Sequence, residues 1–497
     1  MSRTFRREPG RLDETNHRAL LAQIAAAVME EKGLEPEFSN AANEQAVATR
    51  LLDERDAARV TDLRKLPWCS IDNDDSLDLD QLSTADALEN GATRIRIAIA
   101  DVAASVERRS PLDKHAHRNT TSVYTPARKF PMLPDRLSTN LTSLNESEDR
   151  LAIIVDFVAS ERGAISKSQV YRGRVRNQAK LTYREVGRWL EHGGEAPNGC
   201  TITAVLNQLR LQDRVAEALR HRRDEHGALE FETVEVDHLF EGDRLVGLKR
   251  QELNRATSLI ANMMIAANGI TSRFLEEHGL PVIRRVVREP EHWDRICEIA
   301  AGHGTILPVE PDPIALSRFL EDRRTEDPAS FPDFSLTIIK LLGRGEYVAD
   351  EPGAEPTGHF GLAVRDYTHS TAPNRRYPDL VTQRMVKSAL EEVRPPYELD
   401  ELRQIAAHCT EQEDAANKVE RHLRKSAAAL LVSSKIGERF DGLIAGVSEF
   451  GRWVRIVNPP IEGKVVRGAE DLGVGDPVTV RLLRVDVARG FIDFEQS

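Results

Sequence analysis

Hydrophobic positions change character along the chain in three regimes. In the first sixty residues Leu20, Ile24 and Val28 recur at four-residue intervals after the polar stretch 13–16, which is one face of a helix, and Gly33 offers a stop. Ser39 is placed to cap a second helix, in which Val47 and Leu51 share a face. The pattern predicts a small helical domain over residues 1–64. A helix-turn-helix is one arrangement of the pair, and packing alone explains the same residues equally well.

From Pro67 to about Leu430 no long proline- or glycine-rich linker interrupts the chain, and strand-like runs (Ile95–Ala100, Leu151–Phe157) mix with helical stretches such as Ala256–Phe274. One large α/β domain over residues 65–435 is expected. Its last segment, Leu399–Ser433, is charged, with apolar positions at mixed three- and four-residue spacing, and predicts a helix that braces the domain. After Gly437 the apolar segments shorten and are punctuated by Gly451 and Pro459-Pro460. About five short strands in some sixty residues predict an OB-type β-barrel over residues 436–497.

Composition narrows the class. A chain of 497 residues exceeds what one core organises, in keeping with several domains. No window approaches the roughly 18 consecutive apolar residues of a membrane span. The opening MSRTFRREPGRLDE has basic residues but no apolar run behind them, so no secretory signal is expected, and the expected location is cytoplasmic without membrane contact. Cys69, Cys200, Cys297 and Cys409 are dispersed, which argues against a zinc site and a disulfide framework. The net charge of −12 speaks against a general nucleic-acid binder but leaves room for a local basic channel.

The chemistry concentrates in Ser70-Ile-Asp-Asn-Asp-Asp-Ser-Leu-Asp-Leu-Asp-Gln-Leu82, where Asp72, Asp74, Asp75, Asp78 and Asp80 fall within nine positions. Five carboxylates so close repel one another, and a divalent cation would offset that repulsion. With oxygen donors only, the ion should be Mg²⁺ or Mn²⁺ rather than Zn²⁺. In extended chain Asp78 and Asp80 point to one face, with Leu77 and Leu79 toward the core. A calcium loop counted from Asp72 would want Gly and Glu where Leu77 and Ser83 stand. A solvated acidic turn is the other reading of these residues taken alone. His115 and His117 lie two apart on a helical stretch, share no face, and are expected to be exposed helix residues.

Beyond Pro67 the chain resembles the ribonuclease II (RNB) family. The resemblance rests on the acidic segment together with Ile97-Ala-Ile-Ala-Asp-Val102, Phe130-Pro-Met-Leu-Pro-Asp135, Leu141-Thr-Ser-Leu144, Ala179-Lys-Leu-Thr-Tyr183, His359-Phe-Gly-Leu362 and Tyr367-Thr-His-Ser-Thr-Ala-Pro-Asn-Arg-Arg-Tyr-Pro-Asp379, in that order. The terminal barrel, with Gly446-Val-Ser-Glu-Phe-Gly-Arg-Trp-Val454, is similar to the S1-type RNA-binding domain that follows the catalytic domain in this family. The resemblance implies a processive 3′→5′ exoribonuclease acting on single-stranded RNA by a two-metal mechanism and releasing nucleoside 5′-monophosphates. It matches Asp72, Asp78 and Asp80 to metal-site acids, Arg375 to the catalytic arginine, and Tyr124 to the aromatic that stacks on the 3′-terminal base. Arg376 is a candidate for a structural role or a backbone phosphate. Phe450 and Trp453 are candidate base-stacking aromatics, with Arg452 and Lys464 near them for phosphates. A monomer is expected.

Three places depart from the family's pattern. Gln81 stands where a fourth acid is common; its amide oxygen could still ligate a metal or its water but brings no charge. Arg284 and Val287 stand where an aromatic and a histidine are usual, and the sequence begins with a short helical segment where bacterial members usually begin with cold-shock domains. A catalytically impaired RNB-type RNA-binding regulator is therefore the alternative to the enzyme.

Overall fold

The computed structural model describes residues 16–50, 60–233, 236–251, 253–328, 330–448 and 450–497. Its centre is a seven-stranded mixed sheet with the spatial order Thr61–Asp62, Ile165–Arg176, Asp149–Ala159, Thr93–Ala100, Gln81–Ala87, Cys69–Asp72, Ala179–Thr182. The outer pairs at each edge are parallel and the inner ones antiparallel. Ile95, Ile97, Ile154 and Phe157 are fully buried, so the central strands read as near-continuous apolar runs. The helices Thr203–Asp224 and Arg255–Glu277 pack together and share this core through Leu209, Leu259 and Met263. Among the described residues no helix is long and apolar enough to cross a membrane.

Both N-terminal helices form where the spacing places them. His17–Glu31 is capped by the Asn16 side chain on the Ala19 N–H, Gly33 follows it at φ +81°, and Asn40–Ala48 is capped by Ser39 on the Ala42 N–H. They do not bury against each other. Leu21, Ala25 and Met29 join the core that also holds the barrel, whereas Ala42 and Ala46 join the central core. Val47 is exposed, and Leu51, its expected partner, lies outside the described residues.

The helix Leu399–Val432 is the brace that joins these parts. Leu402, Ile405 and Cys409 enter the central core, while Val419, Leu423 and Leu430 enter the barrel's core. A third core, with Trp293, Phe319, Phe331 and Ile338, holds the helices Trp293–Gly302, Pro313–Glu326 and Phe331–Leu342. The terminal strands close a five-stranded barrel in the order Arg439–Ser448, Gly451–Ile456, Ile461–Arg467, Phe491–Gln496, Pro477–Asp486, as an OB-type fold requires. Arg455 of the barrel forms an ion pair with Asp333 of the third core's last helix.

Candidate active site

The acidic segment leaves the sheet and returns to it. Ser70 to Asp72 pair in parallel with Lys180 to Thr182, and the next ladder residue is Gln81, opposite Ile99. The intervening residues form a turn fastened at its start by Asp72, whose Oδ1 accepts the Asn73 N–H at 2.7 Å and the Ser76 hydroxyl at 2.8 Å. Asp74 and Asp75 stay exposed at the tip, Asp74 facing Arg184 at 3.2 Å. Leu79 is buried as expected, but Leu77 is 60% exposed. The alternation that would bury both applies to a strand, and this stretch is not one.

Asp80 is 2% exposed. Its Oδ1 accepts the Asn374 N–H at 3.1 Å, and its Oδ2 faces Arg375 Nε at 3.3 Å. Burial pushes its carboxyl up to about 7; Arg375 and the Asn374 bond pull the other way, while Asp78 and Asp379 push further. Asp72 is raised by burial too, and it also feels Arg375 and Asp78. Asp78 therefore acts on both neighbours, while among the described residues no three acid, histidine or cysteine side chains stand together as a ready metal-holding group. The donor set, three partly or fully buried carboxylates short of positive charge, fits a hard divalent ion that would draw them in. Gln81, half-buried at the first position of its strand, directly follows Asp80 in the chain.

The arginine loop is tied to the N-terminus of the helix Tyr377–Glu391. Asp379, fully buried in the first turn, accepts the Ala372 N–H at 2.8 Å and Arg376 Nη2 at 2.7 Å. Arg376 is thus held by a structural pair. The Arg375 side chain is 46% exposed, and among the described residues its terminal nitrogens bond nothing, which leaves them free for an anion.

Tyr124 is brought beside them by backbone pairing. Thr121 bridges to Arg376, and the Ser122 N–H donates to the Arg375 carbonyl at 2.9 Å. Tyr124 is 39% exposed, its N–H donates to Glu420 at 2.9 Å, and with Arg375, Arg376 and Tyr347 it lines a cavity of about 140 Å³. Tyr183, half-buried at the start of the helix Tyr183–His192, has its hydroxyl raised by burial first and then by Asp72, with Arg375 pulling the other way. The sequence motif contained it, but nothing in the spacing marked it.

Other candidates separate. Arg284 is 1% exposed and locked between Glu276, Asp350 at 2.8 Å and Asp366 at 3.5 Å, so it faces no ligand. His115, expected on an exposed face, is buried because the linker after the first helix covers it, with Phe38 at 4.2 Å between ring centroids and Glu35 at 3.5 Å. In the barrel Phe450 is 72% exposed, and half-buried Trp453 lies opposite Lys464 on the outside, since Val454 and Ile456 take the inward positions. Arg452, expected near phosphates, is instead engaged by the carbonyls of Leu472, at 2.8 Å, and Glu470.

An α/β sheet domain that sets a buried acid loop against an arginine loop, followed by a closed barrel, makes up a multidomain fold whose family the comparisons give. The RNB domain model matches residues 60–392 and the RNase II-type exonuclease C-terminal S1 domain model matches residues 438–497; the chain belongs to the RNB-domain family. It is 31% identical over 429 residues to Ribonuclease R of Escherichia coli, covering 83% of this chain and 52% of that protein. The chain thus spans about half the length of that curated relative. Its fold matches Mycoplasma genitalium RNase R in complex with ribose methylated single-stranded RNA at a TM-score of 0.86 and 22% identity, covering 97% of this chain and 78% of that one. It also matches yeast Ssd1, described as a pseudonuclease, at 0.68 and 15% identity, covering 89% and 55%.

Proposed function

We propose that this chain is a divalent-metal-dependent exoribonuclease that shortens single-stranded RNA processively from its 3′ end and releases nucleoside 5′-monophosphates. The observation that carries the reading is the contact of Arg375 with Asp80 inside an acid loop short of positive charge, with Tyr124 at the same cavity. The relatives named Ribonuclease R and the likeness to an RNase R bound to single-stranded RNA support it.

In this reading Asp72, Asp78 and Asp80 hold Mg²⁺, with Mn²⁺ as a substitute and Gln81 as a neutral further ligand. Two such ions, when bound, would supply an activated water and charge stabilisation on both oxygens of an in-line displacement. The open nitrogens of Arg375 meet charge developing on the scissile phosphate, a task for which lysine lacks the planar fork. Tyr124 stacks on the terminal base, and its π-face accepts any base. Arg376 holds Asp379 and so the arginine loop, with its remaining donors toward a backbone phosphate. Phe450 and Trp453 meet the strand at the barrel. The domains are residues 1–64, 65–435 and 436–497, and the protein acts as a cytoplasmic monomer.

The second reading, an RNA-binding regulator without activity, draws on Gln81 and on the likeness to a pseudonuclease. The intact pairing of Asp80 with Arg375 favours the enzyme. A 5′-labelled single-stranded RNA incubated with Mg²⁺, Mn²⁺ or EDTA decides between them. The enzyme gives a ladder that shrinks to a short fragment, absent in EDTA and in Asp80→Asn. Intact RNA that is nevertheless shifted in a gel favours the regulator.

A further inference from the structure

The segment Leu141-Thr-Ser-Leu144 touches both loops of the site. The Ser143 hydroxyl, on a residue with no exposed surface, accepts the Leu79 N–H at 2.9 Å and donates to the Leu77 carbonyl at 2.8 Å; Asn145 Oδ1, at 3.1 Å, is the more distant acceptor. Leu77 and Leu79 flank Asp78, so this one hydroxyl bridges the peptide groups on either side of it. The Leu144 N–H then donates to the Leu79 carbonyl at 3.0 Å, and the Ala100 N–H to the Asp80 carbonyl at 3.0 Å. The backbone from Leu77 to Asp80 is outside the sheet ladder, and these bonds are what fix it.

The preceding residue performs the same office for the other loop. Thr142 Oγ1 lies 2.8 Å from the Leu137 carbonyl and 2.5 Å from the side-chain amide of Asn374, whose N–H is on Asp80. The hydroxyl has one proton and gives it to the nearer acceptor, the Asn374 side-chain carbonyl, while the Leu137 carbonyl already accepts the Thr142 N–H at 3.0 Å. Arg150 secures the turn itself, with Nε on the Ser143 carbonyl at 3.0 Å and Nη2 on the Asn140 carbonyl at 2.9 Å.

We propose that Ser143 is a positioning residue for the reaction: its hydroxyl closes a clamp around Asp78 that fixes the directions in which Asp78 and Asp80 present their carboxylates to the divalent ion. The inference rests on the reading of those aspartates as metal ligands. Partners that orient ligands in this way change metal affinity about ten- to a hundredfold when removed. Ser143 makes no contact with the space open to RNA, so substrate affinity is not its province.

The test is calorimetric titration of the full chain with Mn²⁺ in the absence of RNA, beside steady-state kinetics and a melting curve. Ser143→Ala is compared with wild type, with Asp78→Asn, and with Ser138→Ala, a buried hydroxyl of the same turn that reaches only the Leu133 and Pro134 carbonyls. Ser143→Ala is expected to weaken Mn²⁺ binding about tenfold or more, lower kcat, leave KM for RNA unchanged, and recover rate at high Mn²⁺, while Ser138→Ala binds Mn²⁺ as wild type does. If Ser143→Ala gives no native melting curve, Ser143→Cys, which keeps the size and weakens the hydrogen bonds, carries the same readouts. An Mn²⁺ isotherm equal to wild type in the serine variant, with binding lost in Asp78→Asn, overturns the clamp alone. Unchanged binding in Asp78→Asn overturns the ligand reading beneath it.

Discussion

Arg375 Nε and Asp80 Oδ2 stand 3.3 Å apart across 295 positions of sequence, the acid buried and the tip of the arginine open. The pair joins the loop that gathers negative charge to the loop that would neutralise charge on a phosphate. Each loop is incomplete without the other.

Replacing Arg375 by alanine is expected to lower kcat about a hundred- to a thousandfold, the usual loss when a preorganised donor to a developing charge is removed. Lysine at the same place recovers little of it, because the bidentate geometry is gone. Single-turnover rates at saturating RNA measure both. A lysine variant at wild-type rate would mean that only the charge matters.

Asp80 makes the metal-free protein sensitive to pH. Its carboxyl is raised from 3.8 to about 7, so the folded chain holds the proton more tightly than the unfolded chain does. That contribution is full below about pH 4 and is lost as pH rises through about 7, a few kcal/mol at most. In EDTA, urea unfolding should find Asp80→Asn gaining on wild type as pH rises from about 4 to about 7, with the difference levelling above that. A constant difference across that range would contradict the burial argument.

Tyr124 offers a ring whose loss should weaken binding of a short single-stranded RNA by about 1–3 kcal/mol in Tyr124→Ala. Phenylalanine retains the π-face and should bind as wild type does. Fluorescence anisotropy in EDTA, where no cleavage occurs, separates the two. Equal weakening in both variants would assign the role to the hydroxyl.

Arg284 is a stability residue. Alanine there leaves the Glu276 and Asp350 carboxylates without their buried counter-charge, a change of about 3–5 kcal/mol. Denaturant midpoints check the loss. RNA affinity of the folded fraction should not change.

Much of this was legible in residue order. Apolar runs such as Ile95-Arg-Ile-Ala-Ile99 mark the sheet, and the short segments after Gly437 mark the barrel, because local hydrophobicity reports burial. The dense aspartates mark a loop of mutually repelling charge, and Asp80 within it is buried against Arg375. What escaped depends on contacts between distant segments. His115 is covered by a linker 77 to 80 positions earlier, Leu77 is exposed because its loop departs from the strand, and Arg452 is taken up by carbonyls of a neighbouring turn. Ser143, Thr142 and Asn374 act through hydroxyl and amide bonds to other loops, and no spacing along the chain encodes those partners.

The most direct test of the central claim follows an RNA carrying its label in the 3′-terminal nucleotide, in Mg²⁺, with the first product identified by mass spectrometry. The account predicts immediate release of that nucleotide as a nucleoside 5′-monophosphate, abolished by EDTA and by Asp80→Asn. A label that stays on full-length RNA while the protein binds it, or that leaves within an internal fragment, would contradict the account.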